Sequence, residues 1–585
     1  MSAPPRANLR SYRDFLLIYL APQRLRVALM SALILTGIAL QLANPQILRY
    51  FIDSATSGGS VTSLMLAGVL FVGIALANQA VSVLATYVSE NVAWIATNGL
   101  RTDLVEHCLG LDMAFHKERT AGELIERIDG DVNTLSNFFS QSVIHLLGNA
   151  LLLIGIILLL FREDWRVGTA IAAFALLALV TLIRIRSFAL PAWDRERQKN
   201  AEFFGFLGEQ LAGTEDVRAN GATAYVMRRF FQLLRNWYPV NRRATLSSYS
   251  MFMVSVGLFG LGAALAFAIG AYLWSNKVIS IGAVYLIFYY TTLLNSPIEQ
   301  IRQQLEDLQK AGASIGRVKN LLQMRATIQD NGTAPLPPGA LSVELRDVSF
   351  GYNADEPVLK HINVDLQPGQ VLGVLGRTGS GKTTLARLLL RLYAVQSGEV
   401  RVGDVVVQDT PLRTLRKRIG MVTQDVQLFN ATVRDNLTFF DRAISDTRIL
   451  EVLDDLDLTH WYQALPQGLD TELGSDGEGL SAGEAQLLAF TRVFLSDPGL
   501  VILDEASSRL DPATEHRIER AMDRLLNGRS GIIIAHRLAT VQCADNILIL
   551  EDGRVLEYGR RATLAADTQS RFYALLRTGL EEVQA

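Results

Sequence analysis

Eight residues, GRTGSGKT at Gly376–Thr383, carry the clearest chemistry in this sequence. Glycines let a loop close tightly around an anion, its successive N–H groups point inward, and the N-terminus of the following helix adds positive potential. Lys382 is placed to reach the outer phosphates of a bound polyphosphate, and the Thr383 hydroxyl to ligate Mg2+. The binding set is Gly376, Arg377, Thr378, Gly379, Ser380, Gly381, Lys382, Thr383 and Thr384. An ordinary glycine-rich turn would also fit the pattern. Against it stand the apolar run QVLGVL before the loop, which predicts a strand, and TTLARLLLRLY after it, which predicts a helix.

A second acidic element supports the same chemistry. In LVILDEAS the apolar run predicts a buried strand, with Asp504 emerging at its end to hold Mg2+ or its waters. Glu505 follows, placed as a general base for an attacking water. A phosphate loop in the same chain argues against the plainer account, in which the acids merely solvate a strand end.

These residues need a rigid sheet, and the second half of the chain predicts one. From Leu341 onward, runs such as VLGVLG, RIGMVTQ, LVILDE and GIIIAH alternate with helical segments, the pattern of an α/β domain on a mostly parallel sheet. The first half differs. Apolar stretches at about 26–48, 62–86, 142–161, 167–186, 250–275 and 280–298 are each long enough to cross roughly 30 Å of hydrocarbon. The chain has 585 residues, too many for one compact core. Hydrophobic residues make up 49% of it, and its mean hydropathy is +0.22, both consistent with a part in lipid. A net charge of −3 gives no basic excess, so nucleic acid is not expected as a partner.

Basic residues set the orientation. Segments 87–141 and 187–249 are long and rich in Lys and Arg and are expected to face the cytoplasm, whereas the short connections RYFIDSATSGGSVTS and SNKVIS carry one basic residue each. Cys108 and Cys543, the only cysteines, lack metal or CxxC spacing and suit a reducing compartment. The N-terminal MSAPPRANLRSYRDF lacks the apolar core of a signal peptide. The expected domains are a cytoplasmic N-terminal segment with an elbow helix (1–24), a six-span transmembrane domain (25–310), a linker (311–340) and a nucleotide-binding domain (341–585).

Six apolar stretches, then GRTGSGKT, TQD at 423–425, LSAGE at 480–484, VILDEASSRLD and IIIAHR in that order, resemble an ABC exporter half-transporter of the multidrug or lipid exporter kind. The resemblance covers essentially the whole chain. It implies a multidomain fold, an all-α six-helix transmembrane domain followed by an α/β P-loop NTPase domain of ABC type, with ATP and Mg2+ as cofactors. It implies that Tyr352 stacks on adenine and that Gln424 touches both Mg2+ and the terminal phosphate, which makes Thr383, Gln424 and Asp504 the metal set. His536 would hold the terminal phosphate and orient water, so Glu505, His536 and Gln424 form the catalytic set. Ser481, Ala482, Gly483 and Glu484 would form a second anion site that closes on nucleotide held by a partner half-transporter. SSRLD at 507–511 is similar to a dimer-interface loop. The stretches 111–132 and 209–222 are similar to elements that couple the ATPase domains to the membrane helices.

The usual family pattern is Leu-Ser-Gly-Gly-Gln, so Ala482 and Glu484 depart from it, as does Ser475 upstream. Alanine is tolerable where φ is negative, whereas a glutamate brings negative charge toward an anionic nucleotide. An altered signature beside an intact phosphate side favours one chain of a heterodimer, and a working homodimer is the alternative. Uncharged polar residues within the spans, Gln41, Asn44, Asn78, Gln79, His145, Asn149, Thr291, Thr292 and Asn295, with Tyr285, Tyr289 and Tyr290 nearby, serve as helix contacts or line a cavity. The expectation is an ATP-driven exporter subunit in a bacterial inner membrane, surrounded by lipid and moving a hydrophobic or amphipathic substrate. The alternative is an ATP-gated regulatory membrane protein without net pumping.

Overall fold

The computed structural model describes residues 18–138, 140, 143–353, 356–474, 480–504, 512–535 and 538–578. Two compact units emerge. One comprises Met1–Leu109 with Ala121–Met324, the other Gly110–Thr120 with Arg325–Ala585.

The first unit is helical. In hydrocarbon every backbone N–H and C=O must be satisfied within its own segment, which a helix achieves. Its principal helices are α1 (Arg24–Thr56), α2 (Val61–Gly110), α4 (Val143–Glu163), α5 (Trp165–Ala212), α7 (Thr223–Ser275), α8 (Ile281–Leu293) and α9 (Asn295–Gln323). Six helices among the described residues are long and apolar enough to cross a membrane, as the hydropathy predicts. Three are far longer than a span needs. α2 has 50 residues, α5 has 48 and α7 has 53, or roughly 75 Å each against about 30 Å of hydrocarbon. Much of the charged segments 87–141 and 187–249 is therefore helix carried onward from the spans. Charge lowers hydropathy without lowering helix propensity, because Glu, Lys, Arg and Gln are good helix formers. α9 likewise runs through the first part of segment 311–340 to Gln323.

The core of this unit is formed by Ile156 and Leu160 of α4, Ile171 and Leu182 of α5, Leu273 of α7, and Leu286, Ile287 and Tyr290 of α8, all at most 1% exposed. Gly262 of α7 lets Phe174 of α5 approach: a Cβ there would lie 2.4 Å from the phenyl ring. Polar ties join the helix ends. The Asp53 carboxylate accepts from Ser280 Oγ (2.7 Å) and the Gly282 N–H (2.9 Å), which caps α8, and Arg49 pairs with Glu163. Asp131, only 3% exposed, accepts from Arg317 Nε (2.9 Å) and Ser314 Oγ (2.9 Å) on α9. Asp131 closes a single π-helical turn, Glu126–Asp131. Its pair with Asp131 raises the Arg317 guanidinium above its ordinary value.

The second unit is α/β. A four-stranded sheet of β1 (Val343–Phe350), β2 (Leu359–Leu366), β4 (Ser397–Val402) and β5 (Val405–Val406) runs in the order β2-β1-β4-β5. A six-stranded sheet contains β3 (Val371–Gly376), β6 (Ile419–Val422), β7 (Leu500–Asp504), β8 (Ser530–Ile534), β9 (Asn546–Glu551) and β10 (Arg554–Arg560), in the order β10-β9-β3-β8-β7-β6. All its pairings are parallel except β9 with β10. β3, β7 and β8 are buried along their whole length, as continuous apolar runs require in a sheet covered on both faces. Short helices α3 (Met113–Glu118) and α6 (Thr214–Ala219) lie within the two stretches similar to coupling elements. α3 belongs to this second unit and α6 to the first.

Candidate nucleotide-binding site

The site is built where parallel strands end. β8 aligns Ile534 with both Asp504 of β7 and Val374 of β3, so the phosphate loop and the acidic strand end emerge along one edge of the sheet. Ligands bind outside the carboxyl ends of such strands. Three loop glycines have positive φ: Gly376 (152°), Gly379 (83°) and Gly381 (103°). At Gly376 a Cβ would also strike the Leu550 carbonyl oxygen at 2.3 Å, so space and conformation both demand glycine. Gly381 opens α10 (Lys382–Leu389), whose N-terminus faces the loop.

Lys382 is 6% exposed, and its Nζ donates to the carbonyls of Gly376 (2.7 Å) and Arg377 (3.1 Å). Ser380 Oγ is buried without a hydrogen-bond partner among the described residues, an open position for an acceptor. Arg377, Thr378 and Gly379 are exposed at the mouth of the loop. Thr383 Oγ1 donates to Asp504 Oδ1 at 3.5 Å, and Asp504 is 5% exposed. A hydroxyl and a carboxylate so placed fit the oxygen chemistry of Mg2+. Gln424 is exposed in the loop after β6. Its neighbour Thr423 accepts from Gln486 Nε2 at 3.5 Å, which ties that loop to α11 (Ala482–Ser496).

Tyr352 sits beside the loop. Its hydroxyl accepts from Arg387 Nη1 (3.0 Å) and lies 3.1 Å from Thr384 Oγ1. The rings of Phe350 and Tyr393 meet it edge to face at 5.1 Å each. The structure thus brings Tyr352, Thr384, the phosphate loop and Asp504 together. Glu505, His536, Ser475 and the SSRLD loop lie outside the described residues, as does the segment before residue 18; the side chain of His145 does also.

Ser481, Ala482, Gly483 and Glu484 form a separate cluster at the start of α11. Ala482 is not among the residues of positive φ, so its methyl meets no backbone strain. Gly483 is buried, and a Cβ on it would lie 2.2 Å from Thr514 Cγ2 of α12 (Pro512–Leu526). Ser481 is the N-cap of α11, and with Glu484 it completes a capping box. Glu484 Oε2 accepts both the Ser481 backbone N–H (2.8 Å) and the Ser481 hydroxyl (2.8 Å). The acid therefore satisfies both the backbone and the hydroxyl donor of Ser481. The signal for this lay in the S-x-x-E spacing, a capping-box pattern that reading the segment only as an anion site passes over.

Sequence reasoning also missed two arginines. Arg387 holds the Tyr352 hydroxyl. Arg492 of α11 donates to the carbonyls of Asn436 (2.7 Å) and Gln427 (2.9 Å), and burial pulls its guanidinium down to about 10, still charged at neutral pH.

The ABC transporter transmembrane-region model matches residues 27–298, and the ABC transporter model residues 359–508. An ABC transporter ATP-binding protein from Bacillus subtilis, YknV, is 30% identical over 557 residues, covering 94% of this chain and 92% of that protein. The chain belongs to the ABC transporter family. An ATP-dependent lipid A-core flippase from Syntrophus aciditrophicus is 30% identical, over 81% of this chain and 79% of its own. A solved bacterial Atm1-family ABC exporter with ATP bound has a TM-score of 0.79 at 25% identity, covering 95% of this chain and 98% of that one. This ABC transporter is a multi-pass membrane protein of exporter fold with its ATPase domain fused behind the membrane helices. It binds ATP and couples its hydrolysis to transport, and exporters of this type work as dimers.

Proposed function

We propose that this chain is one half of an ATP-driven exporter that moves a hydrophobic or amphipathic molecule out of the cytoplasm or the inner leaflet of a bacterial plasma membrane. It pairs with a second half-transporter whose signature loop differs from its own. ATP lies on the phosphate loop with its base on Tyr352, and Thr383, Asp504 and Gln424 hold Mg2+, which when bound neutralises charge on the phosphate oxygens. Lys382 binds the terminal phosphates and Ser380 Oγ donates to them. Glu505 accepts a proton from the attacking water and His536 orients it. Ser481–Glu484 serve the partner's nucleotide.

The observation that carries the unequal pairing is the hydrogen bond from the Ser481 hydroxyl to Glu484. A signature loop whose serine hydroxyl is already donated to its own acid is a poor donor to phosphate, so the site it completes turns over slowly. Support for an amphipathic cargo comes from a cavity of about 310 Å3 within the membrane unit, lined by Gln41, Asn78, Gln79 and Asn149 beside Leu33, Ile38 and Leu152. Its lining mixes hydrogen-bonding groups, the Glu90 carboxylate among them, with hydrocarbon. The test is ATP-dependent uptake of a fluorescent amphipathic dye into inside-out vesicles, with Glu505→Gln as control. Uptake that depends on ATP and vanishes in the control is expected; ATP hydrolysis without uptake overturns export.

A further inference from the structure

One contact at the nucleotide platform has no part in holding ATP. Lys117 Nζ sits 3.6 Å from the centroid of the Tyr352 ring, on its face. That ring is fixed: its hydroxyl is held by Arg387 and Thr384, and Phe350 and Tyr393 abut it edge to face. Lys117 is fixed too. It belongs to α3, capped by Asp112, whose Oδ1 accepts the Phe115 N–H at 3.4 Å. The other oxygen of Asp112 accepts from the Thr327 N–H (2.7 Å) and hydroxyl (2.5 Å). Burial works to raise the Asp112 carboxyl, but these donated bonds outweigh it and hold it below the ordinary carboxylate range.

An ammonium and an adenine ring both bind the face of a tyrosine, the one through the ring quadrupole and the other by stacking. Both cannot occupy one face. We infer that Lys117 is a nucleotide-displaced latch: its ammonium competes with the base for the Tyr352 face, and binding of the base frees the Lys117 end of α3. Because α3 follows α2 by two residues in the chain, Leu111 and Asp112, release is passed directly to the end of a membrane-spanning helix. The inference rests on Tyr352 as the base platform and names the regulation of that site.

The test uses the full chain in lipid nanodiscs, titrated with ATP and, separately, with inorganic tripolyphosphate, which has no base. Lys117→Ala should bind ATP about two- to fivefold more tightly than wild type, the gain from removing an exposed cation–π competitor, while tripolyphosphate gains nothing. Lys117→Arg keeps a cation on the ring and should behave as wild type. Hydrogen exchange over residues 110–120 should rise with ATP in wild type and be high without ATP in Lys117→Ala. Equal or weaker ATP binding in Lys117→Ala, with exchange still ATP-dependent, overturns the latch. A folded wild type that binds tripolyphosphate but gains nothing from the base overturns the Tyr352 platform and the latch with it.

Discussion

Replacing Glu484 by Gln isolates what the signature loop loses to its own acid. The side chain keeps its length and its amide can still cap α11, so the helix survives. What changes is charge. A hydrogen bond to a carboxylate contributes about 1.5–3 kcal/mol and a neutral one about 0.5–1.5, so freeing the Ser481 hydroxyl for phosphate becomes easier by about 1 kcal/mol, or roughly fivefold. The helix N-terminus meanwhile loses a favourable anion worth about 0.3–1 kcal/mol. Glu484→Gln should therefore melt slightly lower yet hydrolyse ATP about fivefold faster when the chain is assayed alone in nanodiscs, where its own signature completes every site. Glu505→Gln added to it should abolish the gain. A Glu484→Gln chain that binds ATP, melts as expected and hydrolyses no faster would refute the self-capping argument.

Gly483→Ala places a methyl against Thr514 Cγ2 and should cost about 1–3 kcal/mol by overpacking; adding Thr514→Ser, which removes that methyl, should restore most of the thermal stability. Arg317→Ala leaves the buried Asp131 carboxylate with the Ser314 hydroxyl but without its half-exposed cation, a loss of about 1.5–3 kcal/mol by thermal unfolding in detergent, and Asp131→Ala in the same chain should recover part of it. The Asp112 carboxyl is depressed in the folded chain, so its contribution is present above the unfolded value of about 3.9 and is lost as pH falls through the folded one. Protection from hydrogen exchange over 110–120, corrected for the intrinsic rate at each pH, should thus be flat from pH 7 to about 5 and fall below about 4, and Thr327→Val should lower it above about 4 with a difference that shrinks as the pH falls further.

The phosphate loop, the acidic strand end and the six spans were legible because each is local: a glycine spacing, an apolar run, a length. The spans' true extent was not, since the hydropathy signal stops where charge begins while α2, α5 and α7 continue. Contacts between distant residues left no local trace. Asp131 meets Arg317 and Lys117 meets Tyr352 across long stretches of chain, and nothing in either neighbourhood announces its partner. Glu484 is the intermediate case, visible as a capping box and also as a departure from an anion-binding pattern, and only the folded geometry assigns its carboxylate to Ser481.

The unbroken run of α2 carries a phase as well as a length. Its buried positions beyond the apolar stretch, Ser89, Val92, Ala93, Ala96, Thr97, Leu100, Leu104 and Cys108, form one stripe along the helix. An ideal helix turns by about 100° per residue, so one residue inserted before Val92 would rotate every later stripe position by that angle, whereas seven would leave the stripe within about 20° of its place. Length variation in this helix is therefore quantised: insertions of about seven, eleven or eighteen residues keep the angular register between its two ends within about 20°, whereas one, two or five residues scramble it.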